Sequence, residues 1–302
     1  MFFFQELLEK GSMIQKNRVP IVVCANENEV MKAIFKAQDE NIVGSPILVG
    51  EVVGIRKILD ENNRDYSQYV IVEKNDKYEA AKEAVNLLLN KSGDFLVKGL
   101  IDTSILLKAI LNSRTELADK DVFFSHLTVV ESDILNRVIM FSDGALNILP
   151  NVKDKIKIIE NSYEICKKFG IEVPKIALIA AKEKVSPKMI ATLEAKEIKA
   201  YFEKETRFIV EGPLALDNAI SKVSAQIKSI EGRIQGDADV LIMPNIEAGN
   251  VFYKTLAYFS NSRLAGILIG GDVPIVVTSR SDSEENKFLS ILFSSNYLKR
   301  SE

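Results

Sequence analysis

An arginine beside small hydroxyl residues, at the end of an apolar run, is a combination that grips anions. Thr278-Ser279-Arg280 follows the apolar residues 274–277 in that way. The guanidinium is a planar fork that holds phosphate through two parallel hydrogen bonds and stays charged at any working pH. Ser279 adds a hydroxyl that donates and accepts. Asp282, Ser283, Glu284 and Glu285 then open the last apolar helix. Two readings stay open: Arg280 holds a ligand anion, or it pairs with Glu284 or Asp282 as a surface ion pair. Glu284 and Glu285 suit the positive end of a helix. Glu285 and Asp282 are the candidates for a proton-accepting carboxylate.

Four other polar clusters also fall where apolar runs end. Pro244-Asn245-Ile246-Glu247-Ala248-Gly249-Asn250 follows the apolar residues 240–243. Gly249 and Asn250 either let backbone amides approach a ligand at a helix start or form a tight turn. Lys254 lies one helical turn beyond Asn250 on the same face. Lys98-Gly99 ends the run 95–97 and leads into Asp102-Thr103-Ser104. Lys98 is either a cation fixed at a strand end or a snorkelling surface lysine. Ser142-Asp143-Gly144 with Asn147, and Glu211-Gly212-Pro213 with Asp217, complete the set, and turn chemistry alone explains the first of them.

These clusters need a scaffold that brings strand ends together. The β-rich runs 19–25, 46–50, 69–72 and 95–97 alternate with helical stretches 27–39, 77–89 and 103–111. Such β-α repetition predicts a mostly parallel sheet covered on both faces, with ligands beyond the carboxyl ends of its strands. Polar residues around 111–121 mark a boundary. Beyond it, 122–131 and 138–141 pair as a hairpin. The alternation then resumes with helix 155–169, closed by Gly170, strand 175–180, and a helix starting at Ser186-Pro187. Strand 208–210, helix 214–224, strand 240–243 and helix 251–259 follow. Strands 266–270 and 274–278 and a final helix over 283–297 complete the pattern.

Composition excludes several classes. With 302 residues and a net charge of −3, both signs interspersed, the chain has room for two α/β domains and no basic face for nucleic acid. Cys24 and Cys166 lack metal-ligand spacing and fit small buried residues in a reducing, cytoplasmic setting. His126 is the single histidine, on a strand without a triad or metal motif. No apolar run is long enough for a bilayer. The start, Met1-Phe2-Phe3-Phe4, lacks the features of a secretion signal, and its phenylalanines suit a core or an interface. Neither GxGxxG after the first strand nor GxxxxGK[ST] is present.

The segment Pro244-Asn245-Ile246-Glu247-Ala248-Gly249-Asn250-Val251-Phe252-Tyr253-Lys254 resembles the P-D-x-x-A-G-N-x-x-Y-K signature of the phosphate acetyl/butyryltransferase family. Thr278-Ser279-Arg280 resembles its terminal S-R element. Leu96-Val97-Lys98-Gly99-Leu100-Ile101-Asp102-Thr103-Ser104, with Leu107-Lys108-Ala109, is similar to the butyryl branch. Phe141-Ser142-Asp143-Gly144 with Asn147, and Val210-Glu211-Gly212-Pro213-Leu214 with Asp217, fall in the family's order. The resemblance implies two α/β domains with mostly parallel sheets, of isocitrate/isopropylmalate dehydrogenase-like architecture, with an active-site cleft between them. Residues 1–116 plus 271–302 would form the first and 117–270 the second. It implies the reaction acyl-CoA + phosphate = acyl phosphate + CoA, with a butyryl or branched acyl group. Coenzyme A would be a substrate, with no tightly bound cofactor, no metal, no nucleic acid and no membrane. A homo-oligomer is expected.

On that resemblance Ser279, Arg280, Glu285 and Asp282 are the expected catalytic residues. Lys98, Gly99, Thr103, Lys108, Asp143, Asn147, Asn245, Gly249, Asn250, Lys254 and Thr278 are expected to bind substrate. Arg280 would hold phosphate with Lys108 or Lys254. The chain departs from the family pattern in four places. Lys108 replaces an arginine of the acetyl branch, that branch's second arginine near Tyr258 has no counterpart here, Asn286 stands where its carboxylate base is proposed, and Asn245 replaces the motif's aspartate. Two other readings remain: a non-catalytic acyl-CoA or acyl-phosphate binding protein, and a dehydrogenase of related fold.

Overall fold

The computed structural model describes residues 3–14, 18–113, 123–271 and 273–298. The chain splits into two compact units, Met1–Val122 with Arg263–Glu302, and Phe123–Ser262.

In the first unit, β1 (Pro20–Val23), β2 (Ile47–Gly50), β3 (Val70–Glu73) and β4 (Phe95–Lys98) alternate with α2 (Asn28–Asp39), α3 (Val52–Glu61) and α4 (Lys77–Leu89). β1, β2 and β4 are buried along their whole length, the mark of parallel strands covered on both faces. The chain runs outward from β1 through β2 to β3, then returns to lay β4 on the other side of β1. β11 (Ile275–Val276) joins β4 in parallel, and β10 (Arg263–Ile269) pairs antiparallel with β11. That pairing sets β10 in the first unit, whereas the sequence reading ended the second domain at residue 270. α5 (Thr103–Asn112) follows β4. The expected boundary at 111–121 falls largely on residues 114–122, outside the described ones.

α11 (Glu284–Tyr297) is capped by Ser283, whose Oγ accepts the Asn286 amide at 3.1 Å. It is buried along most of its length and packs on α2 and β10. Asn286 Oδ1 accepts the Leu264 amide at 3.1 Å and Ser290 Oγ the Gly266 amide at 3.0 Å, so its polar residues tie it to β10. α1 (Phe3–Ile14) was not foreseen. Phe4 is buried and Phe3 lies 6.3 Å from the Phe293 ring; Phe2 lies outside the described residues.

The second unit contains β5 (Ser125–Ser132), β6 (Arg137–Ser142), β7 (Lys175–Ile179), β8 (Ile209–Leu214) and β9 (Val240–Ile242) in the order β5-β6-β9-β7-β8. β5 and β6 form the expected antiparallel hairpin and the other neighbours are parallel. α6 (Val152–Lys168) starts on a capping box between Asn151 and Asp154, and Gly170 follows it at φ 80°. α7 runs over Ile190–Tyr201, so Ser186-Pro187 does not start it. The Ser186 amide instead donates to Thr192 Oγ1 at 2.9 Å, closing a turn ahead of the helix. The stretch 214–224 is not one helix: β8 runs to Leu214, and α8 (Leu216–Ile220) and α9 (Lys222–Ile227) break at Ser221, which caps the second.

α10 spans Ile246–Phe259 and begins five residues before the expected 251. Asn245 is the cause: its Oδ1 accepts the Ala248 amide at 2.9 Å and caps the helix. No helix among the described residues is long and apolar enough to cross a membrane.

Candidate active site

In the first unit the carboxyl ends of β1, β4 and β11 lie side by side, because all three strands are parallel. β1 and β4 flank the point where the strand order reverses, the position at which open α/β sheets take ligands. Cys24 to Glu27, Lys98 to Thr103 and Val277 to Asp282 leave the sheet along this edge. Gly99 is required by the approach of the chains. A Cβ there would stand 2.3 Å from the Cys24 carbonyl oxygen and 2.7 Å from that of Val23. The sheet edge therefore assembles Lys98, Gly99, Thr103, Thr278, Ser279, Arg280 and Asp282 from distant parts of the chain.

Lys98 is only 4% exposed, so it is no snorkelling lysine. Its Nζ has a long contact of 3.5 Å to the Gly99 carbonyl. Burial pulls its pKa below the ordinary lysine value, Glu27 and Asp102 oppose that pull, and Arg280 and Lys287 add to it. A buried ammonium with so little direct pairing is a strong attractor for an anion.

Arg280 pairs with neither Glu284 nor Asp282. Its Nη2 donates to Asp102 Oδ1 at 3.1 Å, with both side chains more than half exposed. Asp102 precedes α5 but makes no side-chain cap bond, so this carboxylate turns to the guanidinium. An exposed pair contributes roughly 0–1 kcal/mol. A phosphate offering a bidentate contact can displace Asp102 readily.

Asp282, expected as a base, is buried and holds the turn. Its Oδ2 accepts the Ser279 amide at 2.7 Å, and its own amide donates to the Ser279 carbonyl at 3.1 Å. Ser279 Oγ lies 3.1 Å from Ser281 Oγ. Glu285 is exposed in the first turn of α11. Lys108 stands apart from the edge cluster. It lines a groove between α4 and α5 with Tyr78, Lys82, Asn86 and Asn112.

In the second unit Asp143, Gly144 and Asn147 follow β6, beside the end of β9. Asp143 was expected to meet substrate, yet its carboxylate is 1% exposed and used by the protein. Oδ2 accepts the His126 amide at 2.8 Å and Asn147 Nδ2 at 2.6 Å, and Oδ1 accepts the Ala145 and Leu146 amides at 2.9 and 2.8 Å. Asn147 Nδ2 also donates to the Phe124 carbonyl at 3.0 Å. Both residues therefore shape the loop.

Gly249 and Asn250 lie inside α10, so their amides belong to the helix and do not open it. A Cβ on Gly249 would stand 2.2 Å from the Asp143 carbonyl oxygen and 2.8 Å from Gly144 Cα. The missing side chain lets α10 rest on the loop. Asn250 Nδ2 reaches the Gly144 carbonyl at 3.3 Å, and Lys254 Nζ sits 5.1 Å from the Tyr253 ring centroid and 6.0 Å from that of Tyr258. Among the described residues no group of three His, Cys, Asp or Glu side chains is placed to hold a metal ion.

Two residues of the first cluster were missed by the sequence reading. Glu27 precedes α2, and Lys287 is 2% exposed within α11. A lysine among Phe288, Leu289, Ile291 and Leu292 was the available signal.

Residues 77–294 match the model of the family described as phosphate acetyl/butaryl transferase. The phosphate butyryltransferase of Clostridium beijerinckii is 38% identical over 290 residues, 95% of each chain. The phosphate acetyltransferase of Thermotoga maritima is 34% identical over 294 residues, 97% of this chain and 98% of that one. The crystal structure of a branched-chain phosphotransacylase from Enterococcus faecalis V583 superposes with a TM-score of 0.83 at 34% identity, covering 93% of this chain and 98% of that one. A 4-hydroxythreonine-4-phosphate dehydrogenase from Burkholderia phymatum shares the fold at a TM-score of 0.53 and 13% identity, over 94% of this chain and 99% of that one.

Proposed function

Since the chain belongs to the phosphate acetyl/butyryl transferase family, we propose that it transfers a short acyl group, butyryl or branched, reversibly between coenzyme A and inorganic phosphate. The observation that carries the reading is the buried Lys98 ammonium beside the Arg280 guanidinium at one sheet edge. Phosphate binds there, with Arg280 exchanging Asp102 for a bidentate grip. A phosphate oxygen attacks the thioester carbonyl, the C–O bond forms, and the C–S bond breaks as CoA leaves as a thiolate. Fixing an anionic nucleophile next to the carbonyl supplies much of the rate. The Ser279 hydroxyl donates to the developing oxyanion or to the departing sulfur.

Phosphate is already anionic, so the forward attack needs no protein base. The reverse direction needs the thiol ionised, and with a reference pKa near 8.5 a carboxylate assists. Glu285 takes that role, because Asp282 is engaged by Ser279. Asn250 and Lys254, on one face of α10, are assigned to substrate phosphate groups. Free, buried Cys24 and Cys166 support a cytoplasmic setting. Exposed Val251, Tyr258 and Phe259 on α10 support a homo-oligomer; a monomer in light scattering would refute it.

The test is phosphate-dependent release of free thiol from acetyl-, butyryl- and branched acyl-CoA. Turnover with phosphate is expected in the wild type, and Arg280→Ala should lower it by about 10²–10³-fold. Thiol release that ignores phosphate, or a near-normal Arg280→Ala rate, refutes the reading.

A further inference from the structure

α11 buries one charge among apolar residues and serines. Lys287 is 2% exposed, as little as the apolar residues around it. Taking an ammonium out of water is costly unless it is paired and hydrogen-bonded. Its partners are specific. Nζ donates to the Asp282 carbonyl at 2.8 Å and to the Arg280 carbonyl at 3.2 Å, and it lies 3.6 Å from Glu27 Oε1. Both hydrogen bonds thus end on the backbone of the short turn that presents Ser279 and Arg280.

That turn is tied within itself by Asp282, whose carboxylate accepts the Ser279 amide. Lys287 ties it to α11. The Arg280 side chain is more than half exposed and shows one bonded partner, Asp102, so its aim depends on where its backbone stands. Glu27, on the segment leaving β1, compensates the Lys287 charge from the far side of β4. Glu27, Asp102, Arg280 and Lys287 all act on Lys98, and Asp282 lies in the turn itself.

We propose that Lys287, paired with Glu27, is a positioning residue for phosphate: it fixes the Ser279–Asp282 turn so that Arg280 meets phosphate beside Lys98. The inference rests on the phosphate acyltransferase reading above. A buried lysine kept only for stability would alter unfolding and leave substrate affinities alone. A positioning lysine alters the phosphate KM selectively, and only while Arg280 is present to be positioned.

The experiment is steady-state thiol release with butyryl-CoA and varied phosphate, on wild type, Lys287→Met, Lys287→Gln, Arg280→Ala and the Arg280→Ala/Lys287→Met double variant. Wild-type turnover is measured first, so that its absence defeats the reading beneath and not this inference. Met keeps the length and burial and removes the donors. Gln keeps one amide donor and serves as partial rescue. A misplaced contact costs up to about 100-fold. Lys287→Met should raise the phosphate KM by about 10–100-fold with the butyryl-CoA KM within about twofold, and Lys287→Gln should fall between it and wild type. In the Arg280→Ala background the Lys287→Met change should shrink to less than about twofold. A folded Lys287→Met with unchanged phosphate KM, or an equal effect in both backgrounds, overturns the proposal. If Lys287→Met does not fold, Lys287→Gln decides: a phosphate KM within about twofold of wild type overturns it.

Discussion

Replacing Asp143 by Asn swaps one carboxylate oxygen for an amide and changes almost nothing in shape. The wild-type carboxylate accepts from His126 N, Asn147 Nδ2, Ala145 N and Leu146 N. Either orientation of the new amide turns its NH2 toward two of these donors. Two charge-assisted hydrogen bonds are then lost, at about 1.5–3 kcal/mol each, and donors face donors in a dry site. Asn147 can relieve one side by flipping its own amide, but it then gives up the bond to the Phe124 carbonyl. The net loss is therefore about 3–5 kcal/mol, a large share of the roughly 5–15 kcal/mol that holds an ordinary domain folded. Urea unfolding followed by circular dichroism measures it, together with hydrogen exchange at the His126, Ala145 and Leu146 amides. Those amides should lose protection first, because they lose their acceptor directly. A change below about 1 kcal/mol with unchanged protection would refute the claim that the carboxylate pins this loop.

Gly249→Ala gains about 1 kcal/mol of helix propensity but drives a Cβ to 2.2 Å from the Asp143 carbonyl, and backbone cannot swing aside as a side chain can. The clash should win, lowering the melting temperature by several degrees and turnover with it; an unchanged melting temperature in calorimetry would refute this. Burial sets the folded pKa of Lys98 below the ordinary 10.5. Between that folded value and 10.5 the unfolded chain binds more protons, so this lysine's contribution to stability rises with pH there. Phosphate affinity, which needs the ammonium, falls over the same window. Plots of phosphate KM against pH should rise in the alkaline limb for wild type and be flat and high for Lys98→Met; identical profiles would remove Lys98 from the site. Burial also pushes the Cys24 thiol up to about 11 and the Cys166 thiol up to about 12. Neither should react with a disulfide reagent near pH 8 until the protein is denatured, and fast labelling of the native protein would contradict that.

Local pattern was enough for much of the scaffold. Helix Lys77–Leu89 has the bounds its apolar stripe predicts, with Asp76 capping it. The hairpin of β5 and β6 follows from two strand patterns with no helix between them. The strand ends carrying Lys98-Gly99 and Ser279-Arg280 were also readable, because continuous apolar runs define buried parallel strands and polar residues mark where they stop. Helix starts were less legible. Both Ser186-Pro187 and Asn245 have the chemistry of a cap, and only Asn245 caps, since Thr192 draws the first into a turn.

Sequence by itself determined which residues carry charge, where strands end, and the family whose motifs those residues spell. Tertiary structure alone decided what each polar group faces. It turned Asp143 and Asp282 inward onto amides, sent Arg280 to Asp102 across a separation of 178 residues, placed Lys108 in a groove with α4, and buried Lys98 and Lys287. The physical reason is range. Helix and strand preferences are set by neighbours within a few residues, whereas the worth of a charge depends on burial and on partners that only a folded sheet brings to one edge.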